Sequence, residues 1–102
     1  NSPYWRDLGA PWGGAHSDAE GVARFLAAFL APDGRLLPAD LAREMVRDQN
    51  ARLPKAWGIG FAANARRAGS PFGVACSMGA FGHGGSTGTL CWADPATGAI
   101  CV

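Results

Sequence analysis

Apolar residues recur at helical spacing from Ala19 onward. Ala19, Val22, Ala23, Leu26 and Leu30 fall on one stripe and Phe25 and Phe29 widen it, which predicts a helix buried on more than one side. Ser17-Asp18-Ala19-Glu20 has the spacing of a capping box, in which the Ser17 hydroxyl accepts from the amide three residues on and Glu20 reaches back. The helix is therefore expected to start at Ser17. Pro32-Asp33-Gly34 stops it. A second helix is predicted from about Ala39 to Asp48, where Leu37, Leu41 and Met45 stand four apart with Val46 beside them. Its charged residues, Asp40, Arg43, Glu44, Arg47 and Asp48, read as a solvated face. Residues up to Gly14 are rich in Pro, Gly and Trp without a sustained period and are expected to be irregular.

From Trp57 the period changes to two. Trp57, Ile59 and Phe61 alternate with Gly58 and Gly60, so one face of the expected strand is bulky and the other bare enough for close packing. Phe72, Val74, Cys76 and Met78 repeat the device against Gly73, Ala75, Ser77 and Gly79. A third strand is expected from Thr87 to Ala93, and Ala99 to Val102 reads as a further one. The short connections require an antiparallel sheet of three to four strands. Two helices followed by such a sheet make an α+β arrangement with the helices on one sheet face.

The chain has 102 residues, 48% of them apolar and 17% charged. One domain fits, and at this size it buries roughly 60–70% of its unfolded surface, a thin core. A formal charge of +1 with scattered basic residues leaves no electrostatic footprint for nucleic acid or an anionic lipid surface. No apolar run reaches the roughly 20 residues of a membrane span, and no charged-then-apolar leader opens the chain. The first residue is Asn1 and the last four read as a strand in progress, so residues 1–102 are expected to be the C-terminal part of a single domain, truncated at both ends. Cys76, Cys91 and Cys101 are too few and too far apart for a disulfide scaffold. A hairpin loop of Pro95 to Gly98, with Gly98 at positive φ, sets Cys91 and Cys101 on opposite faces, so no disulfide between them is expected.

The densest chemistry lies in Gly82-His83-Gly84-Gly85-Ser86-Thr87-Gly88. A phosphate loop is excluded because Gly85 stands where the lysine belongs and no helix pattern follows. Gly84-Gly85-Ser86-Thr87-Gly88 satisfies GxSxG, which would make Ser86 the nucleophile of an α/β-hydrolase elbow, but that motif needs a helix after it and the sequence downstream is β-rich. The third reading is a strand whose glycines let an acyl substrate lie along it while an outward amide, that of Ser86, stabilises the oxyanion. His83 then donates to the nucleophile network or a substrate carboxylate. The plainer alternative for His83 is a strand-end residue with its ring hydrogen-bonded to backbone. His16 reads as a loop residue near the helix cap, Trp57 and Trp92 as core or cleft wall. The His and Cys spacings match no metal-ligand pattern.

The order of these segments resembles the C-terminal part of the serine β-lactamase and penicillin-binding-protein superfamily, nearest the class C β-lactamase-like esterases and peptidases. The matching residues are Gly13-Gly14-Ala15-His16-Ser17 before Arg24-Phe25, Leu37 through Met45 and Gln49, Trp57-Gly58-Ile59-Gly60-Phe61, and Phe81 through Thr89 followed by Trp92-Ala93-Asp94-Pro95. The resemblance implies a partial β-lactamase/DD-peptidase-like fold and a serine hydrolase, bacterial and periplasmic or secreted, that works without a cofactor. It implies acyl-enzyme chemistry on a small-molecule ester, amide or D-amino-acid peptide, as in an esterase or carboxypeptidase. Residues 83–85 would be the Lys/His-x-Gly box, with Gly84, Gly85 and Thr87 against the substrate. Gly84 replaces the usual hydroxyl-bearing residue, which weakens recognition of a substrate carboxylate. The SxxK and Tyr motifs that carry the nucleophile are absent: Lys55 is the sole lysine and follows Arg52, and Tyr4 is the sole tyrosine. The chain alone is therefore expected to be inactive. The alternative is a non-catalytic binding or structural module of the same fold.

Overall fold

A computed structural model describes residues 2–64 and 72–102. Among them, three helices precede or flank a four-stranded antiparallel sheet: α1 (Pro3–Asp7), α2 (Ala19–Leu30) and α3 (Ala39–Val46), then β1 (Ala62–Ala63), β2 (Phe81–Gly84), β3 (Leu90–Asp94) and β4 (Ala99–Cys101), in the order β1-β2-β3-β4. The α+β expectation holds. Helix α1 arises where irregular chain was expected, because Ser2 accepts from the Trp5 amide and Pro3 is preset for a first helical turn.

Helix α2 begins one residue later than the capping box predicts. Asp18 is the cap and accepts from the Gly21 amide at 2.7 Å, whereas Glu20 pairs with Arg24 and the Ser17 hydroxyl donates to the Asp18 carbonyl. A carboxylate at the cap gains from the helix dipole as well as the hydrogen bond. Asp18→Ala is accordingly expected to cost about 1 kcal/mol in urea denaturation and Ser17→Ala only a few tenths; equal costs would return the cap to Ser17.

Leu26 and Phe29 of α2, Ala42 of α3, Phe61, Phe81 and Ala93 form the main core, with Met45, Val46, Cys91 and Ile100 packed around it. The aromatic rings interlock edge to face: Phe29 lies 4.8 Å from Phe61, and Phe61 5.4 Å from Phe81. Phe25 and Leu41 remain half exposed, so α2 is buried on one side only and the buried face of α3 runs through Ala42. Helix α3 stops at Val46, two residues short of the expected end, and Asp48 beyond it accepts from the Asn50 and Trp57 amides instead of facing only solvent.

Two expected strands are turns. Residues 57–61 form the bend of a small hairpin, with a bridge between Trp57 and Ala62 and Gly60 at φ +81°. The bare side of that segment is nonetheless used: a Cβ on Gly58 would collide with the Met45 carbonyl at the end of α3, and Ile59 donates to that same carbonyl at 2.7 Å. Residues 72–80 likewise bend, at Gly73 (φ +90°) and at the Ser77–Ala80 turn, and cover the sheet face opposite the helices through Phe72, Cys76 and Ala80. The last hairpin matches its expectation. Asp94 pairs with Ala99 and Trp92 with Cys101 around Pro95–Gly98, Gly98 has φ +72°, and Cys91 and Cys101 sit on opposite faces as free thiols. No helix among the described residues is long and apolar enough to cross a membrane.

Candidate functional site

The glycine-rich segment is a strand followed by a hairpin loop. In β2 the register sets Phe81 opposite Ala93, Gly82 opposite Trp92, His83 opposite Cys91 and Gly84 opposite Leu90. Gly85 then donates to the Thr89 carbonyl at 2.7 Å, and Gly88, at φ +92°, closes the turn on the Gly85 carbonyl at 3.0 Å. Ser86 and Thr87 are the two central residues of that turn, exposed, and the chain returns directly as β3. The α/β-hydrolase alternative is thereby corrected: an elbow requires strand, turn and helix, and Ser86 lies between two strands.

Among the described residues, short β1 leaves part of one edge of β2 without a strand partner. It pairs only with Phe81 and Gly82. Antiparallel ladder bonds alternate in direction, so with Gly85 bonded to Thr89, the N–H and C=O of Gly84 point away from β3. Among the described residues no strand pairs with Gly84 on that side. Addition of a Cβ at Gly84 would bring nothing closer than the Thr89 carbonyl at 3.8 Å, whereas one at Gly85 would strike the Thr89 hydroxyl. The two glycines of the box therefore differ: a side chain at Gly84 has open space, whereas one at Gly85 needs the Thr89 hydroxyl to turn aside.

His83 is exposed at the end of β2. Its Nδ1 lies 2.7 Å from the Gly84 carbonyl, and because a carbonyl only accepts, Nδ1 carries a hydrogen, which in the neutral ring leaves the lone pair on Nε2. The plainer expectation for His83, a strand-end ring tied to backbone, is thus met at one nitrogen while the other is left with a lone pair. The imidazole also borders an open groove of about 380 Å³ whose wall includes Ser17, Asp18 and Val22 from the start of α2 and Leu90, Cys91 and Val102 from the sheet. His16 is not among the residues lining it. Trp57, assigned above to core or cleft wall, is more than a third exposed and meets the His83 ring edge-on at 5.4 Å. Trp92 packs on the opposite face beside Cys76. Among the described residues no three His, Cys, Asp or Glu side chains gather in a way that would hold a metal ion.

One polar cluster escaped the sequence reading. Asp94 is buried and accepts from the Ser77 amide at 2.8 Å, the Ala96 amide at 2.9 Å and the Ser77 hydroxyl. The Ser77 hydrogen bonds hold its carboxyl below the usual range, more than burial raises it. Its only trace in the sequence is Asp before Pro at a turn.

A family model described as Beta-lactamase matches residues 1–102. The crystal structure of a beta-lactamase from Mycobacterium bovis superposes with a TM-score of 0.69 at 25% sequence identity, covering 78% of this chain and 33% of that one. The chain thus spans about a third of the length of that structure. A search of curated proteins found no match.

Proposed function

The chain belongs to the beta-lactamase family, and from that we propose that it supplies one wall of a serine-hydrolase cleft, as the C-terminal part of a larger domain whose nucleophile lies outside residues 1–102. In this reading β2 is the strand along which an ester, amide or D-amino-acid peptide lies. Nucleophilic catalysis divides the displacement into acylation and deacylation, and both steps pass through an oxyanion. The Ser86 amide donates to that oxyanion, while Gly84 and Gly85 keep the strand bare and Thr87 borders the substrate. The lone pair at His83 Nε2 takes a proton from, or in its protonated form donates one to, the nucleophile network. The family resemblance favours an ester or peptide over a β-lactam here, because histidine at the box's first position is commoner in esterase-like and peptidase-like members than in true β-lactamases.

The observation that supports this most is the edge of β2 beyond Gly82, which has no strand partner among the described residues, with His83 and the backbone of Gly84 exposed on it. Labelling of the intact protein with a fluorophosphonate or a penicillin is the test. A serine outside residues 1–102 is expected to be acylated, and His83→Ala is expected to slow acylation about 100-fold. Labelling of Ser86, or a rate untouched by His83→Ala, overturns the reading, and no labelling at all assigns the protein to the non-catalytic alternative.

A further inference from the structure

We propose that Trp57 is a positioning residue for His83, holding the imidazole in the tautomer and ring orientation that keeps Nδ1 on the Gly84 carbonyl and leaves Nε2 for the reaction; this rests on the role given to His83 above. A solvent-exposed histidine at the end of a strand ordinarily turns about its side-chain bonds and exchanges tautomers. Here two contacts restrict it. The Gly84 carbonyl takes the Nδ1 hydrogen at 2.7 Å, and the Trp57 ring lies 5.4 Å away at an interplanar angle of 62°. That is the edge-to-face geometry that aromatic pairs prefer.

Trp57 is itself held unusually firmly for a residue outside the core. Its N–H donates to Asn50 Oδ1 at 2.8 Å and Asp48 Oδ1 at 3.3 Å, and its carbonyl accepts from the Gln49 amide at 2.7 Å. It is bridged to Ala62, which pairs with Gly82, the residue before His83. Loop and sheet thus fix the distance between the two rings from both sides. Filling the core does not explain the residue, because Trp57 is 37% exposed and the main cluster closes around Phe61 and Phe81 without it. What the tight backbone anchoring secures is the placement of one ring against another.

Imidazole nitrogen chemical shifts of the intact protein read the tautomer directly. Wild type is expected to hold the Nδ1–H form, Trp57→Phe to retain it, and Trp57→Leu to admit the Nε2–H form. An edge-to-face contact shifts the ratio of ring states by up to about tenfold, so kcat in Trp57→Leu is expected to fall measurably and by no more than about that factor, with KM within about twofold. Trp57→Phe restores most of the loss. Trp57 is partly exposed, so both variants keep the fold, which the far-ultraviolet spectrum checks. Unchanged tautomer shifts in Trp57→Leu overturn the positioning role whatever His83 does. A tautomer change with unchanged kcat overturns it as a contribution to the reaction. If His83→Ala leaves acylation intact, the reading of His83 fails separately, and the nitrogen shifts still decide whether Trp57 orients the ring.

Discussion

Gly82→Ala is expected to remove about 4 kcal/mol of stability, more than overpacking of a core usually costs, although Gly82 has no place in the proposed chemistry. Gly82 is buried in the middle of the sheet, paired with Ala62 on one side and Trp92 on the other. A Cβ there would overlap the Cys91 carbonyl oxygen and approach the Trp92 Cα to 2.7 Å and Cβ to 2.8 Å. All these atoms belong to β3 backbone or are attached directly to it, so no rotamer change relieves them. The strands must part, and the ladder bonds holding His83 opposite Cys91 weaken with them. A domain of this size holds roughly 5–15 kcal/mol, so the midpoint of thermal unfolding is expected to fall by roughly 15–20 °C. Gly84→Ala, two residues on, has open space and is expected to stay within about 0.5 kcal/mol of wild type. Thermal and urea unfolding of the two variants decide it: a Gly82→Ala protein within about 1 kcal/mol of wild type would mean that the strand spacing adjusts and that sterics do not set this position.

That contrast shows what the sequence carried and what it did not. The helix α2 stripe, the stop at Pro32-Asp33-Gly34 and the Pro95–Gly98 loop were legible because each depends on near neighbours: a 3.6 period, a proline, a glycine at positive φ; the strand Phe81–Gly84 is only one of three readings that the glycine-rich segment allows. Residues 57–61 and 72–79 also show clean alternation, yet neither is a strand, because Gly60 and Gly73 take positive φ and bend the chain. Alternation reports which residues face apart, and a glycine within it leaves open whether the backbone extends or turns. Within the glycine-rich segment, Gly82, Gly84 and Gly85 look alike in sequence. Only the register with β3 separates a glycine required by a neighbouring backbone from one with room for a side chain. The same limit hid the contact between Trp57 and His83, which depends on a bridge to Ala62 and a loop at Asp48–Asn50.

Asp94→Ala is expected to cost about 3–4 kcal/mol, a carboxylate's hydrogen bonds plus the donors left behind, and to make the protein's stability less sensitive to acid. The carboxylate joins the sheet to the 72–80 segment that covers the face opposite the helices. It accepts from the Ser77 amide and hydroxyl, while Asn64 Nδ2 ties the Ser77 carbonyl from β1's side at 2.7 Å. Removing it takes the acceptor away from the Ser77 and Ala96 donors and loosens the cover that Phe72, Ala80 and the half-buried Cys76 make over the sheet. Asp94→Asn keeps the shape but turns an amide donor toward a group that needs an acceptor, so it is expected to cost about 2 kcal/mol. The pH dependence has a definite sign. The folded-state pKa of Asp94 lies below its unfolded value, because the hydrogen bonds from Ser77 favour the charged form. Its contribution is therefore complete above the unfolded value of about 3.9 and is lost as pH falls from there through the lower folded value. The Cys76 thiol nearby is pushed up by burial first and then by Asp94, so it stays neutral throughout that window and does not offset the loss. Urea midpoints between pH 7 and pH 2 are expected to drop less steeply in Asp94→Asn than in wild type. Parallel curves would show that Asp94 takes up its proton at the same pH folded and unfolded, and that the Ser77 bonds do not favour its charged form.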